Sequence, residues 1–115
     1  MSFPRKALLV DTLHASAPVA AFHFVKIDGT QAGAGDLVYG VAETDAIAGD
    51  DYAAALTGFL SVVAGAPIAK GQRVKSDANG CAIPAADNEA AVGVARFAAV
   101  GPGVAVSITR LSLTQ

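Results

Sequence analysis

Glycine-containing turns placed just before short apolar runs constrain the fold of this chain more than any other feature. Four such turns lie at 32–36, 46–51, 68–72 and 100–103, and each precedes a run rich in Val, Ala or Ile. Glycine accepts positive φ without strain, so a turn that contains it can reverse the chain before a strand begins. Because the spacing is irregular, the pattern indicates shared turn chemistry rather than a sequence repeat, and it predicts several short strands.

The clearest strand signal lies near the end of the sequence. In residues 104–111, VAVSITRL, one face carries Val104, Val106 and Ile108, and the other carries smaller or polar side chains. This alternation is typical of a half-buried strand. Residues 19–27, VAAFHFVKI, are apolar on both faces, which predicts a strand that is central in a sheet or covered by a partner.

Two alanine-rich segments, 45–56 and 88–97, fit either a helix or a strand. Alanine is the best helix former, but Gly49 interrupts the first segment and Gly93 interrupts the second. We favour a strand in the first segment. The second segment also fits either structure, although its valines favour a strand.

The pair Asn79-Gly80 predicts a β-hairpin. Asn-Gly supplies positive φ at both centres of a two-residue turn. The arms would be RVKS at 73–76 and CAIP at 81–84, and Pro84 suits the end or the edge of a sheet. The predicted turn residues are Gly35, Gly49, Asn79 and Gly80.

Six to eight short strands, with turn signals about every 8 to 15 residues, predict an all-β fold, either a small antiparallel β-barrel or a sandwich. A chain of 115 residues has room for one domain. Its residues are 53% hydrophobic but only 6% aromatic, so the core is built from small side chains and association would add burial. We expect an extended N-terminal arm over residues 1–15 and a single β domain over 16–115.

Charge and hydropathy argue against two classes of partner. The formal net charge is −2 and the cations do not cluster, so we expect no direct contact with nucleic acid. No apolar run approaches the roughly 20 residues of a spanning helix, so we expect no membrane partner. Asp11 cuts short the apolar run that a signal peptide would need, and the single Cys81 forms no internal disulfide.

Motifs for chemistry are missing from the sequence. Gly33-x-Gly35 lacks the third glycine and the following helix of a dinucleotide site. Asp50 and Asp51 would point to opposite faces of a strand, which does not suit a shared cation. The remaining candidate ligands or nucleophiles stand singly: His14, His23 and Cys81. We therefore predict no catalytic residue, no metal ligand, no cofactor-binding residue and no cofactor.

The order of short elements from Gly35 to Leu111 resembles the small cement or head-decoration proteins of tailed bacteriophages. The similar elements are collinear: GDLVYG, AGDD before an alanine-rich strand, VVAGAPIAKGQRV, the SDANG turn, VGVA and a closing strand led by glycine. The resemblance implies a structural virion protein, not an enzyme, made in the host cytoplasm. It would bind the outer surface of the assembled capsid and cement neighbouring capsid subunits.

The implied partners are the major capsid protein and further copies of this chain, as a homotrimer or alternatively a dimer. A carbohydrate- or ligand-binding β module is the alternative function, although the chain has no Trp and only two Tyr. Pro4 keeps the start of the chain extended, so the arm could reach a neighbouring subunit. The predicted capsid or oligomer interface residues are Phe3, Pro4, Arg5, Lys6, Phe22 and Phe24.

Overall fold

A computed structural model describes residues 6–86 and 89–110, apart from the side chains of residues 6–8. The described residues form no helix, and hence none long and apolar enough to cross a membrane. The predicted all-β fold is confirmed. The strands are β1 (Lys6–His14), β2 (Phe24–Val25), β3 (Gly40–Ala42), β4 (Asp51–Val63), β5 (Arg73–Ser76), β6 (Ala82–Pro84), β7 (Gly93–Ala95) and β8 (Ala105–Arg110).

The long strand β4 organises the sheet. Ala54 pairs with both β1 and β3, and Phe59 pairs with both β1 and β8. A residue has one partner on each side, so β1 occupies one edge of β4 while β3 and β8 share the other. Beyond β8 the order continues through β7 and β5 to β6, and all strand pairs are antiparallel.

The two ends of this sheet approach each other, so the sheet nearly closes into a barrel. The backbone N–H of Phe24, in β2, donates to the carbonyl of Gly80 in the β5–β6 loop at 2.8 Å. The N–H of Gly65 donates to the carbonyl of Ala82 in β6, also at 2.8 Å. The barrel is therefore the architecture adopted, of the two that the sequence left open.

A bulge in β4 exchanges the faces of that strand. Gly58 has φ of 98°, and the pairing of β1 with β4 shifts register beside it. Before the bulge, Ala55 points into the barrel and Leu56 away from it; after the bulge, Leu60 points in. An extra residue reverses the alternation of a strand, and glycine adopts positive φ without strain.

Arg110, at the end of β8, fills the junction where β3 and β8 meet along β4. Its guanidinium donates to the carbonyls of Val38 at 2.7 Å, Tyr39 at 2.9 Å and Leu56 at 3.2 Å. Burial lowers the pKa of this guanidinium from its usual value. The three carbonyls accept from N–H groups that would otherwise be buried without a hydrogen bond, at a cost in stability. The side chain thus joins β8 to the segment of Val38 and Tyr39 and to β4.

The apolar core has two parts. The first, which we call the barrel cluster, lies inside the barrel and comprises Phe24, Ala32, Val38, Val41, Ala55, Leu60, Val62, Ala64, Ile68, Val74, Ala82, Val92, Ala95, Ala99, Val106 and Ile108. The second, the side cluster, lies against the outer face of β3 and β4, under β1 and the loops, and comprises Leu13, Ala15, Val19, Val25, Ala42, Ala46, Tyr52, Ala54 and Leu56.

The N-terminal segment differs from the sequence expectation. Residues 6–14 form β1, which pairs with β4 along almost its whole length, so they belong to the sheet and not to a free arm. The division of the chain at residue 15 stays a prediction. An arm outside the sheet is restricted to the residues before Lys6, which lie outside the described residues. A polar strand edge such as Asp11–Thr12 gives no local signal of its distant partner.

Two further predictions need correction. The strand expected over 19–27 is limited to Phe24–Val25, because Phe22 has φ of 60° and turns the chain. The predicted two-residue turn is also wrong: the loop spans residues 77–81, and Asn79 does not have positive φ. The Asp77 carboxylate caps this loop by accepting from the N–H groups of residues 79 and 81 at 2.8 and 2.9 Å.

Candidate interaction surfaces

The side chains considered for chemistry in the sequence do not converge. No group of three or more His, Cys, Asp or Glu side chains placed to hold a metal exists among the described residues. His14 Nδ1 lies 2.9 Å from Asp51 Oδ1 in an exposed pair, and His23 contacts the carbonyl of its neighbour Ala21. Burial, with the nearby Asp77 charge, raises the pKa of the Cys81 thiol, which disfavours the thiolate nucleophile.

The predicted interface residues separate into three groups. Phe3, Pro4 and Arg5 lie outside the described residues, and Lys6 begins β1, where its backbone pairs with Phe59. The other two predicted residues, both phenylalanines, lie between β1 and β3.

Those two phenylalanines have different environments. Phe22 is half-buried, and its backbone bonds to Ala42 and Val63 across two strands. Phe24 has no exposed surface and belongs to the barrel cluster, so the prediction that it is an interface residue is wrong. Residues 19–27 are apolar on both faces, and closure of the barrel buries the face that carries Phe24.

The outer face of the sheet carries an aromatic patch formed by Phe59, Arg96 and Phe97. The Arg96 guanidinium carbon lies 3.8 Å from the centre of the Phe59 ring and 5.2 Å from that of Phe97. These distances are typical of cation–π contacts. The two rings are 37% and 38% exposed, so large aromatic surface remains open beside a fixed cation.

Strand register places the members of the patch side by side. The bulge at Gly58 turns Phe59 away from the barrel, and Phe59 pairs with Thr109 of β8. Arg96 follows β7, whose last residue pairs with Ile108 of β8. Because β8 lies between β4 and β7, the side chain of Arg96 crosses it to reach the Phe59 ring.

Ser107 of β8 anchors the cation of the patch. Arg96 Nη1 donates to the Ser107 hydroxyl at 3.1 Å, and the backbone N–H of Arg96 donates to the Ser107 carbonyl at 2.8 Å. The serine is fully buried. No local sequence pattern predicted this patch, because Phe59 and Arg96 are 37 positions apart in the chain. The only local signal was the pair Arg96-Phe97 after a strand.

A second surface is an apolar cleft beside β3. Ile27 and Leu37 are 70% and 65% exposed and line a cavity of about 390 Å³ with Val38 and Tyr39. The remaining wall comes from Lys26 and Asp28. Thr30 donates two hydrogen bonds to the carboxylate of Asp28 and lowers its pKa.

Tyr39 ties this cleft to β1. Its hydroxyl donates to Asp11 Oδ2 at 2.8 Å, and this hydrogen bond raises the pKa of the tyrosine. Asp11 is therefore held on the outer edge of the sheet. Its other carboxylate oxygen accepts from the N–H of Thr12 at 2.9 Å, which together with the register shifts in β1 blunts that edge against pairing with another strand.

A third, polar cleft of about 330 Å³ lies near β5. Lys75 and Glu89 line it and form an ion pair with each other. The hydrogen bond from Lys75 lowers the pKa of Glu89. Because each charge already has its partner, this cleft offers less free charge to a ligand than the aromatic patch does.

Comparison with known proteins identifies a family. The family model described as phage cement protein matches residues 4–110. The fold is similar to the N base of head fiber gp8.5 of bacteriophage phi29, with a TM-score of 0.73 and 22% sequence identity over 93% of this chain and 96% of that chain. At this identity the solved structure shows the fold alone. No curated protein matches the chain.

Proposed function

The chain belongs to the phage cement protein family and is a structural protein of a phage capsid; from this we propose that it binds the outer surface of the assembled shell and cements neighbouring capsid subunits. The partner would be the major capsid protein. We place the finished protein on the virion exterior, after synthesis in the host cytoplasm. The proposal includes no catalytic activity and no direct contact with nucleic acid.

The aromatic patch carries this proposal. Aromatic side chains, Phe included, and arginine are enriched at protein interfaces, and arginine is also enriched among the residues whose removal costs the most binding energy. Phe59 and Phe97 keep 37% and 38% exposure among the described residues, next to a cation that is already held. Rigid side chains lose little conformational entropy on binding, which favours a docking role.

The N-terminal residues fit the same surface. The backbone of Lys6, the first described residue, pairs with Phe59 of the aromatic patch. We propose that Phe3, Pro4 and Arg5 extend the contact to a neighbouring capsid subunit or to a second copy. Copies of this chain would associate as a homotrimer where capsid subunits meet, with a dimer as the alternative.

Sedimentation with capsids tests the proposal. Shells of the parent phage that lack this protein are mixed with the purified chain, and unassembled capsid protein serves as the control. We expect the chain to co-sediment with shells only and to raise the temperature at which they release DNA or dissociate. Equal binding to unassembled subunits, or none to shells, would contradict the proposed function.

A truncation tests the contribution of the N-terminal residues. Deleting residues 2–5 leaves all of β1 in place, so circular dichroism should show a folded protein. We expect the truncated chain to leave heated or chelator-treated shells more readily than the intact chain does. If both chains stabilise shells equally, residues 2–5 make no contact with the shell that contributes to its stability.

The apolar cleft is the feature on which the alternative function, a ligand-binding β module, would depend. It offers aliphatic side chains and one tyrosine, without the flat aromatic platforms that carbohydrate sites use. Leu37→Ser would remove apolar surface from the cleft and leave the aromatic patch intact. Unchanged shell binding by this variant supports the capsid function over the alternative, whereas loss of a ligand detected by mass spectrometry would favour the ligand-binding module.

A further inference from the structure

We propose that Arg96 receives a carboxylate from an acidic side chain on the exterior of the major capsid protein. This inference rests on the proposed function, because it names the chemical group that the aromatic patch recognises. Phe59 and Phe97 hold the guanidinium by its faces, and the capsid carboxylate would bind along its edge.

The first step is that the cation is fixed before any partner arrives. The Phe59 ring lies 3.8 Å from the guanidinium carbon, and Ser107 Oγ accepts from Nη1 at 3.1 Å. The serine is fully buried in β8, where its neighbours restrict its rotation. A guanidinium held in this way loses little freedom when it forms an additional ion pair.

The second step is that this cation has no acid of its own. Within residues 6–86 and 89–110, Arg96 bonds to Ser107 and contacts two rings, and no carboxylate lies within ion-pair distance. By contrast, Lys75 pairs with Glu89, and Lys26 lies 3.9 Å from Asp36. Arginine carries five N–H donors, so several donors of Arg96 remain for a partner.

The third step concerns the chemistry of that partner. A planar guanidinium matches the two oxygens of a carboxylate in a paired, parallel geometry. Arg96 is half-buried beside these rings, and an ion pair is stronger where water has less access than in bulk solvent. A nucleic-acid phosphate has similar geometry, but the chain carries a net charge of −2, so a polyanion is disfavoured.

The fourth step selects the capsid over a second copy of this chain. The aromatic patch lies on the outer face of the sheet, where it combines partly exposed rings with the Arg96 cation, which has no carboxylate partner among the described residues. In a two-fold symmetric dimer, contact between two such patches would bring two guanidinium groups together, which is unfavourable because like charges repel. In a homotrimer the contact is heterologous, and the cross-linking experiment below distinguishes an acidic side chain of a second copy from one of the capsid. A shell that presents an acidic side chain between apolar groups is complementary to the patch.

Variants at position 96 test this assignment through binding to shells. Arg96→Ala should weaken binding by about tenfold or more, the expected loss for a charged hydrogen-bonded pair. Arg96→Lys should weaken it less, and the remaining affinity should fall more steeply with salt. Lys26→Ala, which removes a cation at the apolar cleft, is the matched control and should change the dissociation constant by less than about twofold.

Cross-linking of the Arg96→Lys variant identifies the partner group directly. This variant keeps the positive charge, so it also tests the assignment if Arg96→Ala does not fold. A carbodiimide joins a lysine amine to a carboxylate that it touches. We expect a cross-linked peptide containing position 96 and an Asp or Glu of the major capsid protein.

Three results would overturn the inference. One is wild-type binding to shells with no loss in Arg96→Ala. Another is a cross-link from position 96 only to another copy of this chain, accompanied by a change of oligomeric mass. The third is binding of single-stranded DNA that depends on Arg96. If the wild-type chain does not bind shells at all, the proposed function fails before this inference is reached.

Discussion

The barrel cluster and the side cluster are both apolar, yet different structures enclose them. Seven strands surround the barrel cluster, and its largest members, Phe24, Leu60 and Ile108, have no exposed surface. The side cluster lies outside the barrel under β1 and loops, and Leu13 keeps 8% exposure. The sheet thus supplies a rigid interior, whereas the side cluster attaches the N-terminal strand to it.

The two clusters also differ in the hydrogen bonds that surround them. The side cluster contains a buried hydroxyl, that of Tyr52, which donates to the carbonyl of Gly29 at 2.7 Å. Backbone bonds from Ala15 to Asp50 and from Gly49 to Ala15 close the loops around it. The barrel cluster contains only apolar side chains, and backbone bonds such as those between Ile68 and Ala99 close the loops around it. Stability should therefore respond to apolar truncation in the barrel and to polar changes in the side cluster.

Two leucines on either side of the Gly58 bulge give the largest contrast. Leu60→Ala should cost about 4 kcal/mol because the enclosed barrel cannot collapse around the cavity. Leu56→Ala should cost about 2–3 kcal/mol, since loops and an edge strand can relax into the space. Urea unfolding of both variants measures the difference. Equal losses would show that the two clusters are equally rigid.

Gly80→Val tests the closure of the barrel, with an expected cost of about 2 kcal/mol. Gly80 has φ of 78°, and an added Cβ would lie 3.1 Å from the Phe24 carbonyl oxygen. Gly35→Val is the matched control, because φ there is 77° with no atom within 4 Å of the added Cβ. The difference between the two melting temperatures isolates the contact across the closure. No difference would mean that backbone strain alone accounts for the loss.

Tyr52→Phe probes the polar bond of the side cluster. The variant keeps the ring and leaves the Gly29 carbonyl without its donor, so it should cost about 1–1.5 kcal/mol. Thermal unfolding measures this loss, and Tyr39→Phe, which removes an exposed hydrogen bond to Asp11, should lose less. A larger loss in the Tyr39 variant would reverse the order of these two bonds.

The same tyrosine predicts a response to alkaline pH. Burial raises the pKa of Tyr52 to about 12. Between pH 10 and 12 the unfolded chain loses this proton while the folded chain retains it, so the free energy of unfolding falls with rising pH. Linkage gives a loss of about 0.8 kcal/mol near pH 10.5. Tyr52→Phe should remove this part of the pH dependence, and an unchanged profile would assign it to other groups.

Exposed ion pairs beside the side cluster should contribute least to the stability of the fold. His14→Ala removes the contact with Asp51, in which both side chains are about two-thirds exposed. We expect less than about 0.5 kcal/mol in stability. Shell binding should also stay within about tenfold for substitutions of His14, His23, Cys81, Asp50 or Asp51. Loss of all binding in a folded His23→Ala variant would reveal a site that the geometry does not show.

The sequence predicted those parts of the fold that local chemistry determines. Alternation identified β8, and the arms of the Asn79-Gly80 hairpin correspond to β5 and β6. Positive φ at Gly35 and Gly49 follows from the same turn chemistry. These features depend on neighbouring residues, so a single sequence contains the information.

The parts that were missed depend on distant partners. β1 is a strand because β4 lies beside it, and nothing within residues 6–14 indicates that pairing. The bulge at Gly58 decides that Leu56 faces the side cluster and Leu60 the barrel. It also turns Phe59 outward to meet Arg96. The aromatic patch therefore required the register of three strands, which no local pattern specifies.

Electron cryo-microscopy of shells decorated with the wild-type chain tests the central claim most directly. We expect ordered density on the outer capsid surface, with Phe59, Arg96 and Phe97 against the capsid protein and an acidic side chain at the edge of the Arg96 guanidinium. Undecorated shells, or bound chains whose aromatic patch faces solvent, would contradict it.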